Sequence, residues 1–312
     1  MAKRSVNDII VEKVTELVEK TGLLPWQKRW SKVPAQNLER KIPFWGINQF
    51  LCAFNDHTSP YYLTYKQIQK LEVARAKRES AGKKVGPPIR VREGESKNYT
   101  LIFFCTWKEY NKKDSNGKVI YKADGTPKKV LVPIMRYYRE YNVEQIEGID
   151  HLVPEPTLDN TPSLVLAEQL VRGFMDSPAI SHSASNRPAY RPSKDLVLMP
   201  TVEQFESEED YYSTLFHELA HSTGHEDRLD RPGITGGSVY GDHDYSEEEC
   251  IAEFTSAYLC SDAGILSERT ITNSASYIKG WLQVFSNKPR MISTCAARAQ
   301  KASRLIKGEL CQ

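Results

Sequence analysis

The sequence lacks most of what marks a membrane, secreted or ribbon-type protein. No uncharged run approaches the ~18 apolar residues that a membrane span needs. The opening Met1-Ala2-Lys3-Arg4 has no apolar core or small-residue cleavage site behind it, because Asp8, Glu12 and Lys13 interrupt the next residues, so no secretory signal is expected. The six cysteines (Cys52, Cys105, Cys250, Cys260, Cys295, Cys311) include no CxxC pair, which argues against a disulfide scaffold and predicts a reduced, cytoplasmic protein. There is no internal repeat, no low-complexity tract, and no helix-turn-helix, zinc-finger or RNP motif that would read duplex sequence. Net charge is also nearly absent: 42 Lys and Arg against 40 Asp and Glu leave +2.

That small value is a cancellation. Residues 1–150 carry 28 basic and 17 acidic side chains, a net of +11, and residues 151–312 carry 14 and 23, a net of −9. Four of the five tryptophans (Trp26, Trp30, Trp45, Trp107) lie in the basic half. With 312 residues, length and asymmetry predict two modules with different tasks. Residues 151–163, rich in Pro and without a helical or strand period, read as the linker. The expected domains are therefore 1–150 and 164–312.

Local signals place the elements. Ser5 with Asp8 resembles a capping box ahead of an apolar stripe from Val6 to Val18, and Gly22 ends that helix. Thr64 with Gln67 opens a second helix, running to about Gly82. Tyr99 to Trp107 and Val130 to Met135 read as strands around the turn dipeptides Asn116-Gly117 and Asp124-Gly125, with Trp107 and Phe103-Phe104 expected in the core. The fold class is α+β, with an antiparallel sheet in the first half. The second half is mostly helical with a small sheet, whose strand Asp195–Met199 is either a peptide-accepting edge or a closing strand.

The chemical signal is His217-Glu218-Leu219-Ala220-His221, an H-E-x-x-H pattern. Residues four apart share a helix face, so the two imidazoles can bind one cation and Glu218 projects beside it as a general base. Ser207 with Asp210 caps the start of that helix, and Gly224 is expected to end it. A catalytic zinc takes three protein ligands. His225 lies past Gly224, so the third is sought on the helix around 245–259, where Glu249 and Glu253 lie on one side. Glu249 is preferred as ligand with Glu253 bracing a histidine. A capping box between Ser246 and Glu249 would instead leave Glu253 as the ligand. Glu247 and Glu248 read as a solvated helix start. His243 and Asp244 are lesser ligand candidates, and Tyr240, Tyr245 or His225 are candidate oxyanion donors.

In the basic half, cations that track phosphates alternate with rings that can stack on unpaired bases, which predicts single-stranded DNA as a partner. Candidates are Trp26, Lys28, Arg29, Trp30, Trp45, Asn48, Tyr61, Tyr62, Tyr65, Lys66 and Arg92. The lysine runs Lys83-Lys84, Lys112-Lys113 and Lys128-Lys129 read as solvated loops that add background field.

Several ordered motifs together resemble the ArdC-like antirestriction proteins of conjugative plasmids. They are Leu24-Pro-Trp-Gln-Lys-Arg-Trp30, Phe44-Trp-Gly-Ile-Asn48, Tyr61-Tyr-Leu-Thr-Tyr-Lys-Gln67, Val91-Arg-Glu-Gly94, Tyr141-Asn-Val-Glu-Gln145, His217-Glu-Leu-Ala-His-Ser-Thr-Gly-His225, and Glu248-Glu249 with Ala252-Glu253. Glu93 departs from the lysine usual in that family. The resemblance implies an N-terminal domain binding single-stranded DNA and a zincin-like metallopeptidase domain using Zn²⁺, with Mn²⁺ or another divalent metal possible in its place. It implies protection of incoming DNA from host restriction, with a protein substrate or a restriction enzyme as a further partner and no membrane. Two alternatives stay open: a non-catalytic decoy with a structural metal, and a DNA-dependent protease acting on DNA-bound proteins.

Overall fold

The computed structural model describes residues 5–24, 33–55, 57–155, 161–183, 187–236, 246–265 and 275–309. The chain begins with α1 (Val6–Thr21), where Ser5 and Asp8 bond each other's backbone reciprocally and Gly22, at φ 69°, stops the helix in the left-handed conformation. Two short strands, β1 (Gln36–Asn37) and β2 (Ile42–Pro43), precede α2 (Ile47–Ala53). Next come β3 (Tyr61–Thr64) and α3 (Tyr65–Ser80), the latter opened by the Thr64–Gln67 capping box. β4 (Arg90–Val91) leads to the long strands β5 (Thr100–Asn111) and β6 (Lys129–Asn142), followed by β7 (Ile146–Glu147).

The sheet of this half has the order β2-β1-β3-β6-β5. Asn48 of α2 closes its outer edge: its Nδ2 donates to Phe103 O at 2.8 Å, and Phe103 N donates to its Oδ1 at 2.7 Å. Edge backbone groups that no strand covers are thereby satisfied from within the fold. β5 and β6 pair over twelve positions, from Thr100↔Glu140 to Asn111↔Lys129. β3 reaches only Glu140, Tyr141 and Asn142, so the rest of that pair projects as a two-stranded ribbon.

The second half begins with α4 (Ser163–Gly173), then β8 (Ala179–Ser183), β9 (Ala189–Arg191) and β10 (Leu196–Pro200). β10 lies in the middle of its three-stranded sheet, parallel to β8 and antiparallel to β9. The strand at 195–199 is thus no edge for a peptide; both its backbone edges are paired, and its buried Val197 and Met199 pack in a core with Leu215 and Phe216. α5 (Glu208–Ser222), the single turn α6 (Pro232–Thr235), α7 (Glu247–Ala263), α8 (Ala275–Asn287) and α9 (Arg290–Ile306) complete the chain. The architecture is α+β in two domains.

One apolar cluster joins the halves. Ile10, Val14 and Val18 of α1 and Phe50 and Leu51 of α2 pack with Ile251, Phe254 and Tyr258 of α7 and with Trp281, Ile292, Cys295 and Ala296. Phe50 is fully buried, its ring centroid 4.3 Å from that of Phe254 and 5.1 Å from that of Tyr258. Where α2 meets α9, Gly46 stands at φ 58°, and a Cβ there would lie 3.5 Å from Ala297 N. Phe103 is core as expected, but Trp107 is 63% exposed, because it lies on the projecting ribbon where no third strand of the described residues reaches.

Phe50→Ala removes a ring shared by both halves. It is expected to cost about 3–5 kcal/mol, with far-UV circular dichroism and tryptophan fluorescence shifting together in guanidinium unfolding. Separate shifts of the two signals would show that the halves unfold independently.

Candidate metal centre

α5 starts at Ser207, whose hydroxyl accepts from Asp210 N, and its register brings His217 and His221 to one face with ring centroids 4.9 Å apart. α7 starts opposite. Ser246 Oγ accepts from Glu249 N, and the Glu249 carboxylate then turns toward α5 instead of closing the second half of a capping box. Glu249 Oε2 lies 3.4 Å from His217 Nε2, Glu249 Oε1 lies 3.4 Å from His221 Nε2, and the two Nε2 atoms are 3.2 Å apart. Among the described residues His217, His221 and Glu249 form a possible metal-holding group, their ligand atoms all within 4.8 Å of one another. Donors held about 2.0–2.1 Å from a tetrahedral cation lie roughly 3.3 Å from each other. Two imidazoles and one carboxylate at these separations therefore fit a divalent cation.

A second layer orients the imidazoles. Glu248 Oε1 lies 3.4 Å from His221 Nδ1, and Arg231 clamps the same carboxylate from Nε at 2.9 Å and Nη2 at 2.5 Å. Arg231 also donates to Ala220 O and Thr223 Oγ1, filling acceptors at the C-terminal end of α5 where a cation is favoured. Glu248 and Arg231 are buried, at 8% and 6% exposure. Glu248 is thus no solvated helix start, and it holds the bracing place expected for Glu253. One residue along a helix turns the side chain by about 100°, enough to separate a donor to the site from its brace. Glu253 acts on His217 through its charge, raising that pKa. α5 ends at its C-cap Thr223, just before Gly224 as expected, and the glycine also leaves needed space: a Cβ there would sit 2.6 Å from Ile234 Cγ1 and 3.0 Å from Arg231 Nη2. Arg231 was not legible in advance, because its partner lies across a loop, 17 residues away.

Burial works to keep His221 neutral, but hydrogen bonds to Glu248 and Glu249 outweigh it and push its pKa up to about 10. His217 is raised as well; burial opposes this, and Glu249 supplies the main opposing pull. Burial likewise raises Glu248, yet Arg231 and His221 bring it down to about 2. Glu249 is driven low by the two histidines against the same burial. Glu218 is buried, and its Oε2 accepts from Tyr190 N of β9 at 2.8 Å. His225 turns away to Asp227. Tyr240, His243, Asp244 and Tyr245 lie outside the described residues.

The nucleic-acid candidates separate sharply. Trp26, Lys28, Arg29 and Trp30 lie outside the described residues. Tyr65, Lys66 and Arg92 are exposed, and Trp45 is 45% exposed with the Arg304 guanidinium 5.9 Å from its ring centre. Tyr61, Tyr62 and Asn48 are corrections: they are buried, the tyrosines in the sheet core and Asn48 on the β5 edge, so they cannot offer a face to a base.

Two comparisons cover most of the chain. Residues 4–143 match the family model of the N-terminal domain of anti-restriction factor ArdC, and residues 167–298 match that of a zincin-like metallopeptidase. Two DNA primase TraC proteins of Escherichia coli are 32% and 30% identical over 97% and 96% of this chain. The chain spans only 27% and 20% of their lengths. The crystal structures of the antirestriction ArdC protein from plasmid R388, metal-free and Mn(II)-bound, share the fold at TM-scores of 0.69 and 0.67, with 24% identity over 98% of each chain.

A cation and the His221 proton compete for one nitrogen. The raised pKa keeps that proton bound through neutral pH, so affinity for a divalent cation should rise with pH, about tenfold per unit for each proton displaced; chelator competition at pH 6, 7 and 8 measures the slope, and a flat profile contradicts the assignment. Arg231→Met strands the buried Glu248 and should cost about 3–5 kcal/mol in denaturant unfolding, with much of the loss recovered in the Arg231→Met, Glu248→Met double variant.

Proposed function

This chain is an ArdC-like protein, and on that premise we propose that it binds single-stranded DNA in the cytoplasm and protects incoming plasmid-type DNA from host restriction. In this reading the second domain acts as a zinc metallopeptidase on a protein target. The observation that carries the reading is the convergence of His217, His221 and Glu249 at 3.2–3.4 Å beside the buried Glu218.

His217, His221 and Glu249 would hold the cation. When bound, a zinc ion acidifies water and polarises a carbonyl group. The chain's own contribution is positional and acid–base. Tyr190 N–H holds one oxygen of Glu218, which leaves the other free to take a proton from attacking water and pass it to the departing amine. Glu248, braced by Arg231, fixes the ring of His221, so the donor geometry is set before any substrate arrives. The same donor set accommodates Mn²⁺, the ion bound in one R388 ArdC structure.

Glu218→Gln keeps an acceptor for Tyr190 N–H but cannot take a proton. It should retain metal and fold by metal analysis and thermal melting, lose at least a hundredfold of any peptidase rate, and abolish protection of transferred DNA in a restriction assay. Full protection by this variant would mean that the protein acts by binding alone. His217→Ala should lose the metal itself.

A further inference from the structure

The β5–β6 ribbon takes no part in the metal centre. Beyond Arg139 no third strand among the described residues pairs with it, and its residues are exposed from Cys105 to Lys118 and again from Lys128 to Pro133. At about 3.4 Å per residue the free part spans roughly 30 Å. Beyond the paired strands, backbone bonds from Lys112 N to Lys128 O and from Ile120 N to Lys112 O, with a Lys113↔Val119 bridge, keep the tip folded. Such a ribbon buries little of its own apolar surface. It leaves Trp107, Tyr110, Tyr121, Tyr137 and Tyr138 between 42% and 63% exposed.

Its two faces differ. The pairing Trp107↔Pro133 and Glu109↔Leu131 places Trp107, Leu131, Tyr137 and the ion pair Lys129–Glu109 on one face. Ile102↔Tyr138, Phe104↔Arg136, Lys108↔Val132 and Tyr110↔Val130 place Tyr138, Arg136, Lys108 and Tyr110 on the other. Residues 105–138 carry eight cations (Lys108, Lys112, Lys113, Lys118, Lys122, Lys128, Lys129, Arg136) and three acids (Glu109, Asp114, Asp124), a net of +5. Among the described residues only Lys129 of these cations is ion-paired. A second copy of this ribbon would be repelled by that charge, whereas a polyanion with planar bases matches it in both respects.

We propose that the Tyr110–Lys108–Arg136–Tyr138 face of the β5–β6 ribbon is a binding surface for single-stranded nucleic acid, with the tyrosines stacking on bases and the cations pairing with phosphates. This rests on the DNA-binding reading above and moves the contact from the buried Tyr61 and Tyr62 to an arm that was expected to contribute core and background charge.

Full-length protein is titrated into a fluorescein-labelled oligothymidylate and followed by anisotropy. Tyr110→Ala and Tyr138→Ala should each weaken binding about tenfold, whereas Tyr110→Phe and Tyr138→Phe, which keep the ring, should bind as wild type. Lys108→Ala with Arg136→Ala, which removes exposed side chains only, should flatten the log-affinity against log-salt slope by about 1.4. Leu131→Ala, on the opposite face, should change nothing. If wild type binds and all the arm variants bind equally well, the ribbon is not the contact and the DNA-binding reading stands. Failure of wild type to bind sinks both. Equal binding of a duplex of the same length, loss of binding in Leu131→Ala, or a change of oligomeric state in place of affinity in the tyrosine variants overturns the proposed surface.

Discussion

Helix α7 has to satisfy two surfaces at once, and the rest of the molecule is arranged around that demand. Its first turn delivers Glu248 and Glu249 to α5, and its later turns deliver Ile251, Phe254 and Tyr258 to the core shared with α1 and α2. Since a helix rotates as a rigid body, seating Phe254 against Phe50 also sets the angle at which Glu249 meets His217 and His221. The apolar contact between the halves and the polar contact at the metal centre are thus coupled through one helix. A rotation that loosened the first would spread donor atoms now 3.2–3.4 Å apart.

The polar arrangement around that helix is costly to bury and is satisfied throughout. Glu248 has an arginine on one side and an imidazole on the other, and Arg231 ends at carbonyl and hydroxyl oxygens of the α5 terminus. Such a network favours a single geometry, because moving any member strands another in a low-dielectric interior. Glu218 obeys the same logic, tied to the β9 backbone and so held beside the centre. The basic half solves a different problem: Asn48 seals the sheet edge near its base, while the outer ribbon is left open to solvent on both faces.

Much of this was legible in advance wherever one local period or one short motif carried the information. The capping boxes at Ser5 and Thr64, the glycine stop at Gly22, and the shared face of His217 and His221 all arise from relations within about four residues. Aromatic and charge composition was a weaker guide. Tyr61 and Tyr62 lie in a basic, aromatic-rich half yet are buried in the sheet core, and Trp107 sits in an apolar run yet stands in solvent. Composition counts rings without recording which strands have neighbours on both sides.

The sequence by itself determined helices α1, α3, α5 and α7 with the residues that cap their starts, the paired imidazoles and the opposite charges of the two halves, because each is a property of contiguous residues. Only the tertiary structure decided that Glu249 meets both histidines, that Glu248 with Arg231 is the brace, that the halves share one core, and that the ribbon leaves its rings uncovered. These depend on how far each helix is rotated and where each sheet stops. Packing sets those quantities between segments distant in the chain, and no local period encodes them.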